Sequence, residues 1–219
     1  MKTIVAILIS SLPSSKLRRI FYCLIFGYKI HSDVKIGIFT VIATKSFRAE
    51  EGVLIKSLNL FRGPIDVSIG AESRIGKLNR FTCPAHVNDP IFSNMKYTPI
   101  LEIGKRVLIL DENFFDLFGK ITIGTGSWVA GHGGQFWTHG VSVTDRDIII
   151  GERNYIGSSV RFAPGSSIDN GNVVSLGSVI LSKINCDHHL ISGFPAKPFK
   201  SIKDRQISGE FQFDFTGWK

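Results

Sequence analysis

The six histidines and three cysteines of this 219-residue chain are the groups best suited to move a proton, hold a metal or attack a carbonyl. Cys23, Cys83 and Cys186 are odd in number and form no C-x-x-C pair, so neither a zinc knuckle nor a complete disulfide framework is expected. That usage fits a reducing compartment. His188 and His189 are adjacent, and neighbouring side chains on extended backbone point to opposite sides, so they read as exposed turn residues. His86, His132 and His139 are as many as an open zinc site takes. Two of these border Gln135-Phe136-Trp137-Thr138-His139-Gly140, the stretch with the densest chemistry in the chain. The 26 Lys and Arg against 18 Asp and Glu give +8, which favours an anionic partner: nucleic acid, an acidic lipid surface or a phosphate-bearing ligand. The cations gather at Lys16 to Arg19 and Lys197 to Arg205 with no nucleic-acid reader motif between them, so no nucleic-acid partner is expected.

These residues have to be positioned by a repeat. Ile150, Ile156, Phe162, Ile168, Val174 and Ile180 fall six apart, each followed by a residue that is mostly small or turn-forming. Earlier hexads are Ile69-Gly70, Ile75-Gly76, Ile103-Gly104, Ile123-Gly124 and Val129-Ala130. A short strand and a tight turn per hexad put one aliphatic side chain inward per face, and successive coils stack these into columns. Small residues, Asn and Asp are expected at the corners, where positive φ and crowding exclude larger side chains. A β-sandwich would alternate with period two and turn less often, so a parallel β-helix is the reading. The register breaks between His86 and Ile103, and again between Gly133 and Ile148. Loops leaving a regular scaffold are the usual carriers of function.

The chain is long enough for one well-filled domain, and 43% hydrophobic with 20% charged residues is far from a disordered composition. Ser14-Ser15 after Pro13 starts a helix in which Leu17, Ile20, Phe21, Leu24 and Ile25 recur at helical spacing, and Gly27 ends it. Ile4 to Ile9 is an apolar run without a small-x-small cleavage site, and neither apolar stretch reaches the length of a membrane span. The expected organisation is a helical segment over 1–30, a β-helix over 31–191 and a C-terminal segment over 192–219.

The hexads followed by Ser192-Gly193-Phe194-Pro195-Ala196-Lys197, together with Thr138-His139, resemble the hexapeptide-repeat acyltransferases. Within these the chain is most similar to sugar O-acetyltransferases of the maltose, galactoside and xenobiotic acetyltransferase group, including those that modify bacterial surface polysaccharides. The resemblance covers Ile103 to Ile202 well and Ile36 to Ala85 more loosely. It implies a mainly β fold, a left-handed parallel β-helix, assembled as a homotrimer with sites between subunits. It also implies transfer of acetyl from acetyl-CoA to a sugar hydroxyl or lipid-linked glycan, without a metal. Such an enzyme would be cytoplasmic, or peripheral at the inner membrane face.

By that resemblance His139 is the general base, with His132 on the preceding coil as the alternative. Asp116 and Asp145 are candidates for orienting it, and Asp116 and Trp137 for meeting the acceptor. The coenzyme pattern falls on Ser158, Leu176, Ser182, Lys183, Lys197 and Lys200. Ser182-Lys183 keeps the family's lysine, but the proline that should follow is lost, and the loop around His139 is shorter than in the galactoside enzymes. N-acetylation of an amino sugar on a nucleotide would use the same base. A γ-type carbonic anhydrase would need a histidine spacing that His86, His132 and His139 do not have. A spacer β-helix would leave Thr138-His139 and the downstream lysines without a task.

Overall fold

The computed structural model describes residues 1–209. Residues 210–219 of the expected C-terminal segment lie outside the described residues. The chain forms a left-handed parallel β-helix with three faces, preceded by helices α1 (Lys2–Ser10) and α2 (Ser15–Phe26). The first face stacks strands from Lys35–Ile36 through Leu108–Ile109 and Tyr155–Ile156 to His189–Gly193. The second carries Arg80–Thr82, Phe114–Asp116, Gln135–Phe136, Arg161–Phe162 and Val179–Ile180. The third carries Ile100–Ile103, Lys120–Ile123, Ile148–Ile150, Ser167–Ile168 and Lys183–Ile184. Val41–Ala49 and Leu60–Ile69 run through the second and third faces, joining them into one sheet. Where Leu60–Ile69 turns that corner, Gly63 has φ +126, and a Cβ there would stand 2.1 Å from the Cys83 carbonyl oxygen.

The hexads become columns. Ile150 pairs with Ile168 and Ile168 with Ile184, while Ile156 pairs with Val174 and Val174 with Ile191. On the second face the column is aromatic: Phe61, Phe81, Phe115, Phe136 and Phe162 are all 0% exposed. Their rings stack at 4.4, 4.6, 4.4 and 5.2 Å between centroids. Burying each such side chain stabilises the fold by about 1.5–3 kcal/mol.

The corners depart from the sequence expectation. Along the corner between the first and second faces, Phe39, Leu58, Leu78, Glu112, His132 and Ser159 adopt positive φ. Large side chains are tolerated there because they project outward: Phe39, Leu58 and Leu78 are 51%, 48% and 46% exposed. The asparagines come just after them and point inward. Asn79 donates its backbone N–H to Asn59 Oδ1 at 2.9 Å, and Asn113 does the same to Asn79 Oδ1 at 2.9 Å. Buried amide side chains thus satisfy the corner backbone that the turn leaves unpaired.

Candidate active site

Both breaks in the hexad register leave the second face at the same corner, the one leading to the third face. The first folds into two short 3-10 turns, Ala85–Asn88 and Pro90–Met95; the second spans residues 137–147. Stacking alone brings them together, because their coils lie one either side of Phe114–Asp116. They meet around Phe118, whose ring lies 5.7 Å from His86, 5.2 Å from Tyr97 and 4.4 Å from His139 between centroids. Trp137 also stands beside His139, at 6.1 Å, packed on Phe114 at 4.9 Å and donating Nε1–H to Gln135 Oε1 at 3.1 Å.

His139 Nδ1 lies 2.7 Å from Asp116 Oδ2. The carboxylate is buried, 4% exposed, and the same oxygen accepts the Thr138 backbone N–H at 3.2 Å. Thr138 is buried as well. Its hydroxyl donates to the Asp116 carbonyl at 2.6 Å and accepts the N–H groups of Phe118 and Gly119 at 2.8 and 2.9 Å. Threonine therefore stitches the loop carrying the histidine onto the coil carrying the aspartate. An imidazole whose Nδ1–H is taken by a carboxylate presents its bare Nε2 outward, the tautomer needed to accept a proton. The His139 side chain is 45% exposed, so that nitrogen is within reach of a ligand. Asp116 Oδ2 thus meets both His139 and Thr138. Burial and the nearby Asp116 charge push the Cys83 thiol up to about 12, so it stays protonated and is no nucleophile.

His132 is a different kind of residue. It sits on the outward corner with φ +64, 73% exposed in its side chain, with Nδ1 3.2 Å from Glu112 Oε2. Asp145 is paired with Lys183 Nζ at 2.9 Å rather than with either histidine. Among the described residues no group of three or more His, Cys, Asp or Glu side chains is placed to hold a metal ion, and His86, His132 and His139 form no such group. His188 contacts Gln206 and His189 the Asp187 carbonyl, each through Nδ1.

No protein-family model matches the sequence, and no curated protein does so. Among solved structures, LpxA of Acinetobacter baumannii matches with a TM-score of 0.52 at 13% identity, over 85% of this chain and 74% of that one. The fold is the hexapeptide-repeat β-helix. A hexapeptide-repeat-containing acetyltransferase of Vibrio cholerae, complexed with acetyl coenzyme A, is similar at 19% identity over 93% of this chain and 86% of that one, with a TM-score of 0.41. A UDP-N-acetylglucosamine acyltransferase of Campylobacter jejuni is similar at 16% identity over 85% and 77%, with a TM-score of 0.43.

The hexapeptide-repeat helix divides the expected coenzyme residues between edges. Ser158 and Leu176 follow first-face strands and stand on the corner between the first and second faces, Leu176 79% exposed. Ser182 stands on the next corner, the one that carries His139, and Lys183 opens the third-face strand that leaves it. Lys197 and Lys200 lie on Ala196–Ser201, which pairs antiparallel with His189–Gly193 at the end of the first face, and both are exposed. Within one chain, then, His139, Ser182 and Lys183 lie at or beside one corner, and the other four do not join them. Phe118, on which both loops pack, escaped the sequence reading. It falls outside the hexad register, and no local spacing marks an aromatic that only long-range stacking places.

Proposed function

We propose that this protein is an acetyl-CoA-dependent O-acetyltransferase of a sugar hydroxyl, in which His139 is the general base and Asp116 holds it. The observation that carries the reading is the 2.7 Å contact between a buried carboxylate and a half-exposed imidazole at the corner where both loops leave the helix. Nε2 of His139 removes the acceptor's hydroxyl proton as its oxygen attacks the thioester carbonyl. Asp116 stabilises the imidazolium so formed, and His139 then returns the proton to the departing thiolate. Trp137 and Phe118 both pack near His139 and offer apolar faces for a sugar ring. The fold shared with LpxA and the likeness to the acetyltransferase of Vibrio cholerae support an acyl-transfer reaction. The sugar specificity rests on the motif resemblance.

The division of the coenzyme residues supports a homotrimer. Packing three prisms about a common axis would set Ser158 and Leu176 of one subunit opposite the His139 corner of the next, completing the site. The exposed ridge Phe39, Leu58 and Leu78 along the first of these corners supplies apolar surface for such a contact. The work of a surface-polysaccharide enzyme would place it in the cytoplasm. The direct test is transfer from acetyl-CoA to a panel of monosaccharides, nucleotide sugars and lipid-linked glycans. Acetyl ester formation on one class is expected. Transfer only to amino groups would replace the O-acetyl reading, and no transfer to any acceptor, with no coenzyme binding, would overturn it.

A further inference from the structure

Helix α2 is inside out for a surface helix. The side facing the β-helix is anchored by polar groups: Arg18 donates from Nε and Nη2 to the Ile36 carbonyl at 3.0 and 2.7 Å. Tyr22 Oη donates to the Thr40 carbonyl at 2.9 Å and accepts the Ile42 N–H at 3.1 Å. Arg18 and Tyr22 are 5% and 0% exposed. Leu17, Phe21, Leu24 and Ile25, which recur at the spacing of one helix face, are instead 39%, 39%, 75% and 51% exposed. Helix α1 buries Ala6 and Ile9 and leaves Ile4, Ile7 and Leu8 65%, 50% and 64% exposed. Seven large apolar side chains exposed on two adjacent helices are far more than scattered surface leucines, and exposed apolar surface of this extent marks an interaction surface.

The charged side chains of the two helices have one sign, and Asp33 on the coil beside them is paired with His31. No acidic residue precedes Asp33, whereas Lys16, Arg19 and Lys29 accompany the exposed stripe. Arg18 is not part of that count, since its donors are spent inside. No described helix is long and apolar enough to cross a membrane. We infer that α1 and α2 dock in the plane of an anionic lipid bilayer, apolar side chains entering the headgroup boundary and Lys16, Arg19 and Lys29 meeting lipid phosphates. A second copy of the chain fits less well, because a symmetric contact would bring two basic helix pairs that carry no acidic residue together. The inference deepens the acyl-transfer reading in one respect and does not depend on it otherwise. A cleft of about 550 Å³ joins the start of α1, at Lys2 and Thr3, to Cys83, Pro84, Ala85 and Asn88 of the first loop. The docked end of the molecule thus adjoins the loop that packs against Phe118, so an acceptor carried on a lipid would be presented from that side.

The experiment is co-sedimentation of the full chain with vesicles mixing phosphatidylglycerol and phosphatidylcholine, against vesicles of phosphatidylcholine alone. Binding to the anionic vesicles is expected to be about tenfold or more tighter, and to weaken as salt rises above about 0.1 M. Phe21→Ser with Leu24→Ser should lower partitioning about tenfold or more, and Lys16→Glu with Arg19→Glu should abolish the anionic preference. Ile207→Ser, an exposed apolar residue at the far end of the chain, should change nothing. Matching circular dichroism melts would show that the variants remain folded. Absence of binding to anionic vesicles overturns the inference, as does equal binding by the Phe21/Leu24 variant. A change of oligomeric mass in that variant by light scattering would also overturn it, assigning the stripe to a subunit contact. Calorimetric titration of acetyl-CoA on the same samples separates the two claims: intact coenzyme binding without vesicle binding sinks the docking surface alone.

Discussion

Replacing Asp116 by Asn isolates one contribution to catalysis. Both the His139 ring and the Thr138 N–H use the same carboxylate oxygen, Oδ2. An asparagine can turn its carbonyl oxygen into that place, keep both contacts and preserve the tautomer of His139. What Asp116→Asn removes is the negative charge that stabilises the imidazolium. Two unit charges about 4 Å apart interact by about 4 kcal/mol at an effective dielectric of about 20. His139 is 45% exposed in its side chain, so solvent screens part of this. A charge-assisted hydrogen bond of about 1.5–3 kcal/mol is the better measure, and it converts to a fall in kcat of roughly 10–150-fold. Acetyl-CoA affinity should be unchanged, because Asp116 contacts His139 and Thr138 rather than a coenzyme residue. Steady-state transfer kinetics with calorimetric titration of acetyl-CoA would test this. A folded Asp116→Asn protein with wild-type kcat would refute the argument that the carboxylate supports the base.

Further expectations concern the coenzyme, the core and the assembly. Lys197→Ala and Lys183→Ala should each weaken acetyl-CoA binding by about 1–2 kcal/mol by calorimetry. Asp145→Ala should instead strengthen it slightly, because it frees Lys183 from its 2.9 Å ion pair; weaker binding in that variant would show that Asp145 has another task. Phe136→Ala interrupts the ring stack at full burial and should cost about 3–5 kcal/mol, read as a lower denaturant midpoint; a loss under about 1 kcal/mol would mean that the column does not carry stability. Light scattering should give a trimer of about 73 kDa, three times the 24.2 kDa chain, and a monomer at micromolar concentration would contradict a shared site.

The β-helix was most legible where nothing interrupts it. Ile150, Ile156 and Phe162 each meet a partner three hexads along, at Ile168, Val174 and Ile180, so spacing in sequence is spacing in space. The phenylalanine column was hidden by the same rule. Insertions of different lengths separate Phe81, Phe115, Phe136 and Phe162, and only the stacked structure shows that they form one ladder. Thr138-His139 stood out as a motif, and both Asp116 and Asp145 lay within plausible reach of it. Choosing between the two carboxylates needed burial and distance, which depend on coil stacking rather than on local pattern. The stripe Leu17, Phe21, Leu24 and Ile25 was visible at helical spacing, but periodicity alone cannot say which way a helix faces. Here Arg18 and Tyr22 decide it, through hydrogen bonds to backbone carbonyls that no hydropathy pattern registers.

The central claim is that His139, and not His132, takes the acceptor proton, and kcat for acetyl transfer in His139→Ala beside His132→Ala tests it most directly. His139→Ala should lower kcat by roughly 10²–10⁴ while coenzyme affinity holds. His132→Ala should keep near wild-type turnover, since its ring is exposed on an outer corner and contacts Glu112. Transfer abolished in His132→Ala and largely retained in His139→Ala would contradict the account and move the base to the preceding coil.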